Sequence, residues 1–144
     1  MEKVLRLSLS QTEKMQTEVT HFGISVANLD ESVSWYKDTF GAREIKRIYK
    51  EDFGLTIALL QLGDSHLELL QPDRPERTVS IEGTLQELLQ RIGTSHIALS
   101  VTDIKGVYEK LKSNGVELVT ELIEERLFFC RDPNGVLIEV KQKN

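Results

Sequence analysis

The sequence predicts an α+β fold made of two βαβββ modules, and three observations support this prediction. One strand pattern occurs twice, as THFGISV at residues 20–26 and as SHIALSV at residues 95–101. Each copy alternates apolar residues with small or polar ones, which is typical of a half-buried strand. A helix-start signal and three further strand patterns then follow each copy, so the two halves of the chain repeat one plan.

The first module begins with the strand that carries His21, and a helix follows it. Asn28 is the expected N-cap, with Glu31 three positions later, and Gly41 supplies the C-terminal stop. The apolar positions at helical spacing are Leu29, Val33, Tyr36 and Phe40. Three strands complete the module, with turns at Gly54 and at Gly63-Asp64: Arg43 to Tyr49, Leu55 to Leu62 and His66 to Gln71.

The second module repeats this order after a connector that holds a short helix signal at Thr84 to Arg91. Asp103 caps the helix that follows the His96 strand, and Gly115 ends it. The apolar positions of that helix are Ile104, Val107 and Leu111. The remaining strands are expected at Val116 to Leu122, Arg126 to Arg131 and Val136 to Val140, the last two joined by the turn sequence Asp132-Pro133-Asn134-Gly135.

These elements predict an N-terminal arm at 1–17 and one domain at 18–144. Within that domain the modules are 18–71 and 95–142, and the connector is 72–94. In the arm, Val4 to Leu9 alternates weakly and is left open as a strand or a surface segment. A chain of 144 residues is long enough for one domain with a substantial core.

Composition excludes several classes of function. The formal charge of −5 is spread along the chain in both signs, which predicts no nucleic-acid surface. No apolar run reaches membrane-spanning length, and Arg6 interrupts the apolar N-terminus, so we expect no membrane segment, no signal peptide and a cytoplasmic location. Cys130 is the single cysteine, which excludes an intrachain disulfide, and its apolar surroundings predict a buried, inert thiol.

Two histidines and two glutamates occupy equivalent positions in the two halves. His21 and His96 stand on the first strand of each module, while Glu68 and Glu139 lie within the apolar last strands. A glutamate in such a strand either faces water at a sheet edge or meets a cation. Taken singly, each of these residues is more often structural or solvated, but their symmetry favours one shared site.

Two imidazoles and two carboxylates suit one divalent metal ion, with Zn, Ni, Co, Mn and Fe(II) left open. Without a metal, the two glutamates would repel each other at close range. The small residues that alternate with each histidine, Gly23 and Ser25 in the first copy and Ala98 and Ser100 in the second, leave room for a cavity above the sheet. The sequence therefore predicts a metal site beside a cavity.

With these residues, the chain resembles the vicinal-oxygen-chelate superfamily, which includes glyoxalase I, methylmalonyl-CoA epimerase, extradiol dioxygenases and the fosfomycin and bleomycin resistance proteins. The resemblance runs from about His21 to Gln142 and is carried by the two histidine strands and the Asp-Pro-Asn-Gly-x-x-x-Glu ending. It implies a cupped mixed sheet of paired βαβββ modules. It also implies the metal ligands His21, Glu68, His96 and Glu139. Family members often form dimers, so the resemblance implies a homodimer as well.

Two branches of the superfamily are both represented in the sequence. The segment HIALSV and the Asp132 turn with Glu139 are similar to glyoxalase I. The segments Leu62-Gly63-Asp64, Leu67 to Pro72 and Leu85 to Gly93 are similar to the epimerase. The chain departs from the epimerase where Ser95 precedes His96, and its segment Glu121 to Leu127 is short for either branch.

Both branches imply proton abstraction next to the carbonyl of a metal-bound carbonyl or thioester substrate. The resemblance gives Glu139 the role of base as well as ligand, with Glu68 as the second candidate. Two other classes stay open. An iron-dependent extradiol dioxygenase resembles the chain but uses two His and one Glu, and a non-catalytic binding or resistance protein would have an aromatic-rich cup, whereas this chain has 6% aromatic residues.

Further residues have two interpretations each. His66 shares the face of Glu68, and is either solvated or a second contact to the metal site. An additional acid/base carboxylate, implied by the epimerase, falls near Glu51 or Asp52. Four arginines are candidates for holding an anionic substrate end, against surface charge as the default: Arg43, Arg47, Arg126 and Arg131. Trp35, Tyr36 and Tyr108 are interpreted as packing residues.

Overall fold

The computed structural model describes residues 15–144, which contain seven strands and three α-helices. The predicted segment Val4 to Leu9 and most of the arm at 1–17 lie outside this range. In chain order, the elements are β1 (Phe22–Ser25), α1 (Leu29–Phe40), β2 (Arg43–Lys50), β3 (Leu55–Leu62), β4 (Ser65–Pro72), α2 (Leu85–Leu89), β5 (Ile97–Val101), α3 (Ile104–Ser113), β6 (Leu127–Arg131) and β7 (Leu137–Gln142). One 3-10 turn, Glu51–Phe53, joins β2 to β3. In this part of the chain, no helix is long and apolar enough to cross a membrane.

The first module forms a four-stranded mixed sheet in the order β1-β4-β3-β2. Strands β1 and β4 are parallel, and the other neighbours are antiparallel. Helix α1 begins where predicted, because Asn28 Oδ1 accepts the backbone N–H of Glu31 at 3.0 Å. It ends at Gly41, whose φ of 72° places it in the left-handed region that glycine adopts without strain.

The second module forms a three-stranded sheet in the order β5-β7-β6, with β5 parallel to β7 and β6 antiparallel to it. This order repeats β1-β4-β3 of the first module. A contact between strand end and helix start is repeated as well: Gln71 Oε1 accepts Leu29 N at 2.6 Å, and Gln142 Oε1 accepts Ile104 N at 3.0 Å. The duplication predicted from the two histidine strands is thus present in three dimensions, and the α+β class with two mixed sheets is confirmed.

The strand predicted at Val116 to Leu122 does not form, and this part of the prediction is wrong. The segment runs beside β6 but forms one isolated bridge to it, Leu118 with Cys130, and a second bridge, Ile123 with Leu127, follows just after the segment. The side chain of Thr120 accepts the N–H of Phe129 at 3.0 Å, in place of a carbonyl of a regular ladder. The chain then turns back at Glu124, with a positive φ of 49°. Together these two features interrupt the ladder, and the second module keeps an irregular edge.

One hydrophobic core joins both modules and includes Tyr36, Leu60 and Leu69 from the first and Phe128 and Ile138 from the second. Phe22, the first apolar residue of the THFGISV pattern, lies outside this core, since its side chain is 54% exposed. Phe22 is the first residue of β1, and β1 is the edge strand of its sheet. At that end of the strand, little of the core is within reach.

The turn at residues 132–135 attaches the second module to helix α1 of the first. The hydroxyl of Tyr36 donates to Asp132 Oδ2 at 2.7 Å, and both residues are buried. Burial, and then the adjacent carboxylate, raise the pKa of Tyr36 well above its usual value. Asn134 adds two contacts, because its Nδ2 donates to Ser32 Oγ at 2.9 Å and its Oδ1 accepts Ala27 N at 2.9 Å. The start of β7 is therefore fixed by groups from the other module.

Candidate metal centre

The first candidate pair lies on neighbouring strands of the four-stranded sheet. His21 immediately precedes β1, and Glu68 is on β4, opposite Gly23 in the parallel register. The Nε2 atom of His21 is 3.5 Å from Oε2 of Glu68. On the other side of the imidazole, Nδ1 lies 3.0 Å from the hydroxyl of Thr20. The ring is thus held between a hydroxyl and a carboxylate.

The second pair has the same arrangement in the three-stranded sheet. His96 immediately precedes β5, and Glu139 is on β7, opposite Ala98. The distance from His96 Nε2 to Glu139 Oε1 is 4.0 Å, and His96 Nδ1 lies 2.8 Å from the hydroxyl of Ser95. Phe129, opposite Glu139 on β6, meets the His96 ring edge to face, with centroids 5.4 Å apart.

These two pairs provide the donors that a borderline divalent cation binds. In each pair, a hydroxyl at Nδ1 orients the imidazole so that Nε2 faces the carboxylate, and a cation placed between the two groups would meet both donors. Gly23 and Ala98 stand opposite the glutamates and add almost no side chain above the sheet. The side chains of His21 and His96 are 43% and 28% exposed, and those of Glu68 and Glu139 are 23% and 16% exposed, so the first pair is the more open.

The four predicted ligands form two separate pairs within one chain. Among residues 15–144 no group of three or more His, Cys, Asp or Glu side chains is arranged to hold a metal ion. Each pair alone supplies two protein donors, which is fewer than the three or four of ordinary zinc sites. The donor chemistry therefore fits a divalent ion, and a full site requires the two kinds of pair to meet. The prediction that His21, Glu68, His96 and Glu139 hold one ion stays a prediction.

Three of the four candidate arginines are engaged in surface contacts. Arg43 donates to Gln61, Arg126 donates to Asn144, and Arg47 pairs with both Asp30 and Glu44. These carboxylates, chiefly through their hydrogen bonds, raise the pKa of Arg47. All three arginines are exposed, as the default interpretation of surface charge requires.

Arg131 differs from the other three because it is only 7% exposed. Its Nη1 donates to the carbonyl of Gly135 at 3.1 Å. Its side chain lines a cavity of about 410 Å³ between the start of the connector helix α2 and the segment 117–123. The alternation along β6 was the sequence signal for the placement of the Arg131 side chain, because it puts Arg131 on the face of Phe129 rather than on that of Phe128.

The remaining candidates are placed as follows. His66 is half-buried on β4, two residues before Glu68 and opposite Gln61, so it shares the Glu68 face. Glu51 and Asp52 are exposed in the 3-10 turn after β2. Tyr36 and Tyr108 are buried and Trp35 packs against the core, which confirms their interpretation as packing residues.

Cys130 is buried, as predicted, and desolvation followed by the nearby Asp132 carboxylate raises the pKa of its thiol to about 12. A thiol with this pKa is almost wholly protonated at neutral pH. Its burial and its raised pKa agree with the predicted inert thiol.

The hydroxyls of Thr20 and Ser95 are functional candidates that the sequence reasoning did not identify. Both precede a candidate histidine and contact its Nδ1 atom. The signal was present in the duplicated segments, which begin with threonine in one copy and serine in the other. A shared hydroxyl type at one position of two repeats is a weak pattern without the geometry that explains it.

Comparisons with known proteins agree on one family. The model of the Glyoxalase/Bleomycin resistance protein/Dioxygenase superfamily matches residues 18–140. Mitochondrial methylmalonyl-CoA epimerase of Homo sapiens is 27% identical over 131 residues, which cover 86% of this chain and 73% of that protein. Lactoylglutathione lyase of Haemophilus influenzae is 26% identical over 131 residues, covering 85% of this chain and 90% of the relative.

Solved structures show the same fold. Glyoxalase I of Leishmania major, described as trypanothione-dependent, superposes with a TM-score of 0.71 at 21% identity, covering 88% of this chain and 87% of the other. The fosfomycin resistance protein FosX from Listeria monocytogenes superposes with a TM-score of 0.65 at 19% identity, covering 90% and 94%. At these identities the superpositions support the architecture of two repeated modules and do not identify a reaction.

Proposed function

The chain belongs to the Glyoxalase/Bleomycin resistance protein/Dioxygenase superfamily, and we propose that it is a divalent-metal-dependent enzyme of the glyoxalase or epimerase type. Its reaction would isomerise or epimerise a small carbonyl or thioester substrate by moving a proton next to the carbonyl. The observation that carries this proposal is the repeated arrangement of hydroxyl, imidazole and carboxylate in the two modules. Named relatives of both the epimerase and the lyase type support the same class of chemistry.

In this proposal His21, Glu68, His96 and Glu139 hold the ion. When bound, a divalent cation would withdraw electron density from the substrate carbonyl and so make the adjacent C–H bond more acidic. The two carboxylates balance the charge of the ion, and the imidazoles favour Zn, Ni, Co, Mn or Fe(II) over a hard cation such as Ca²⁺. The hydroxyls of Thr20 and Ser95 keep each ring turned so that Nε2 faces its glutamate.

Glu139 is the proposed base, and Glu68 is the second candidate. The Glu139 side chain is mostly enclosed and sits on a regular strand between β5 and β6, which fixes its position. Its carboxylate accepts the proton from the substrate carbon and returns it to the product, so that the protein supplies both halves of the transfer. Phe129, opposite Glu139 on β6, packs edge to face against the His96 ring and so adds an apolar neighbour beside this position.

A second copy of the chain is proposed to complete the site. One chain leaves its two donor pairs apart, and a homodimer can bring the first pair of one copy to the second pair of its partner. The outer face of the first sheet supports this assembly. Beside Glu68, it carries Ile57, Leu59 and Leu70, which remain only partly buried, while Ala58 and Leu69 on the opposite face are fully buried.

The activity is tested on hemithioacetal and methylmalonyl-CoA side by side, with the protein loaded in turn with each candidate metal. Turnover of one substrate, with solvent deuterium incorporated into the product, is expected. Glu139→Gln should lower that turnover about 100-fold or more, because general-base catalysis contributes that much. Glu109→Gln, at an exposed carboxylate on α3 outside the proposed metal site, serves as the matched control and should leave turnover within about twofold, since it removes no proposed catalytic or binding group.

The shared site is tested by complementation between two double variants. One variant carries His21→Ala with Glu68→Gln, and the other carries His96→Ala with Glu139→Gln. Each alone should bind no stoichiometric metal. If the site spans two copies, mixing them under subunit exchange restores about a quarter of the wild-type metal, because half of the dimers are mixed and each mixed dimer keeps one intact site. A mixture that stays metal-free would show that the site is not shared in this way.

Two alternatives from other classes have distinct outcomes in the same assays. Oxygen uptake with catechols, without activity on either carbonyl substrate, would assign an extradiol dioxygenase instead. A protein without stoichiometric metal that binds a small ligand without turnover would belong to the non-catalytic members. The presence of both glutamates argues against the dioxygenase, whose iron needs open positions for oxygen and catechol.

A further inference from the structure

We infer that the cavity lined by Arg131 is an anion-binding site that takes the carboxylate or phosphate end of a small-molecule ligand. The cavity has a volume of about 410 Å³ and lies between the beginning of α2 and the segment that runs beside β6. This is the lower end of the size range of small-molecule pockets. Nothing in the proton-transfer chemistry uses it.

Arg131 provides the charge of this site. Its side chain is 7% exposed and lines the cavity, so this arginine is enclosed at a cavity wall rather than extended into solvent. Enclosed guanidinium groups are normally paired with an anion. The nearest carboxylate, Glu117 Oε1, is 3.6 Å from Nε, which is beyond hydrogen-bonding distance, and the Glu117 side chain is 69% exposed. Glu117 is therefore a loose counter-charge.

The guanidinium has donor capacity left for a ligand. It carries five N–H donors, and its hydrogen bond to the carbonyl of Gly135 uses one of them. The planar group matches carboxylate and phosphate oxygens in pairs, which makes these two anion types the natural ligands. The rest of the lining mixes polar side chains, Thr84 and Gln86, with apolar ones such as Val119, as expected for the anionic end of a larger organic molecule.

The cavity opens on the same face of the sheet as the second candidate metal pair. Phe129 lies directly opposite Glu139, and Arg131 follows Phe129 by two residues on β6, so all three side chains share one face. Diagonal neighbours of this kind have Cα atoms about 7–8 Å apart. A ligand of a few carbon atoms can therefore place its anionic end at Arg131 while its other end reaches Glu139. This last step depends on the proposed function, whereas anion binding itself does not.

The test uses the full-length protein with metal removed by a chelator, so that it does not depend on the metal site. Inorganic phosphate and malonate are titrated separately, and binding is followed by calorimetry and by the amide signals of residues 117–123 and 83–86. Wild-type protein is expected to bind at least one of the two anions. The two titrations distinguish a phosphate site from a carboxylate site.

Three variants determine the role of Arg131. Arg131→Gln should weaken binding about tenfold or more, because it removes a charge-assisted contact. Arg126→Gln, at the exposed arginine immediately before the same strand, should change the anion affinity by less than about twofold, since Arg126 lies outside the cavity. Glu117→Gln, at an exposed position, should tighten binding about threefold by removing the competing carboxylate. It keeps the test decisive even where Arg131→Gln folds poorly.

Three results would overturn the inference. They are no binding of either anion to the folded wild-type protein, equal losses in the Arg131 and Arg126 variants, and weaker binding after Glu117→Gln. If anions bind through Arg131 but the loaded protein turns over no carbonyl substrate, the anion site stands and the proposed reaction fails. If the enzyme is active but Arg131→Gln leaves both the anion affinity and the KM unchanged, the proposed reaction stands and the anion site fails.

Discussion

Replacing Tyr36 by phenylalanine tests the junction between the two modules. The change removes one hydroxyl and keeps the ring, which stays packed in the core beside Trp35. The lost contact is the 2.7 Å hydrogen bond to Asp132 Oδ2, at a carboxylate that is 4% exposed. The other oxygen of Asp132 keeps its two backbone donors, Asn134 N and Val136 N, at 2.8 Å each.

The magnitude follows from the burial of this contact. A hydrogen bond to a charged group contributes about 1.5–3 kcal/mol, and an acceptor left buried without its donor loses the upper part of that range. We therefore expect Tyr36→Phe to lower the free energy of unfolding by about 2–3 kcal/mol. With a urea dependence of about 1–3 kcal/mol/M for a protein of this size, the midpoint should fall by about 1 M with an unchanged slope.

Tyr49 offers a matched control, because its hydroxyl makes the same kind of bond to Asp73 at 2.8 Å on the surface. This bond raises the pKa of Tyr49, but the side chain is exposed and water replaces the contact when it is lost. Tyr49→Phe should therefore leave the midpoint of urea unfolding close to that of the wild type. Equal effects of the two substitutions, or no effect of Tyr36→Phe, would refute the conclusion that the buried bond holds the modules together.

Three further predictions concern the site and the core. Ser95→Ala should weaken metal binding about tenfold, because the hydroxyl that orients His96 is lost, and competition with a fluorescent chelator measures this. Thr102→Ala, at an exposed hydroxyl residue just after the other end of β5, is the control and should leave metal binding unchanged. Cys130 should react with a thiol reagent only after unfolding, since it is buried, and labelling in native buffer at the rate seen in urea would contradict this. Stability should fall as pH rises from about 9 to about 12, because the unfolded thiol loses its proton near 9 while the folded thiol keeps its proton until about 12; Cys130→Ala should make this decline shallower, and an identical pH profile in the variant would exclude the thiol as its cause.

The fold was predictable because its signals are local and occur twice. Asn28 and Asp103 cap the helices that follow the two histidine strands, and both caps form the expected side-chain contacts. The strand pattern Leu55 to Leu62 gave the observed bounds of β3. The failure at Val116 to Leu122 comes from a tertiary contact that overrides the pattern, since Thr120 takes a backbone N–H that a ladder would use.

The candidate site was predictable only in part, for a different physical reason. Alternation places a histidine and a glutamate on one face of each sheet, and both pairs are found in contact. Symmetry of sequence does not show where the two pairs meet, because that depends on how modules and copies pack. The burial of Arg131 could not be predicted for a similar reason, since part of its cavity is formed by a connector that is remote in sequence from β6.

The shared metal site is tested by measuring the metal content per chain of the purified wild-type protein and of two single variants, His21→Ala and His96→Ala. We expect one divalent ion per chain in the wild type and its loss in both variants, since each module contributes half of the donors. Full metal occupancy after either substitution, or a folded wild-type protein that takes up no stoichiometric ion from Zn, Ni, Co, Mn or Fe(II), would contradict this expectation.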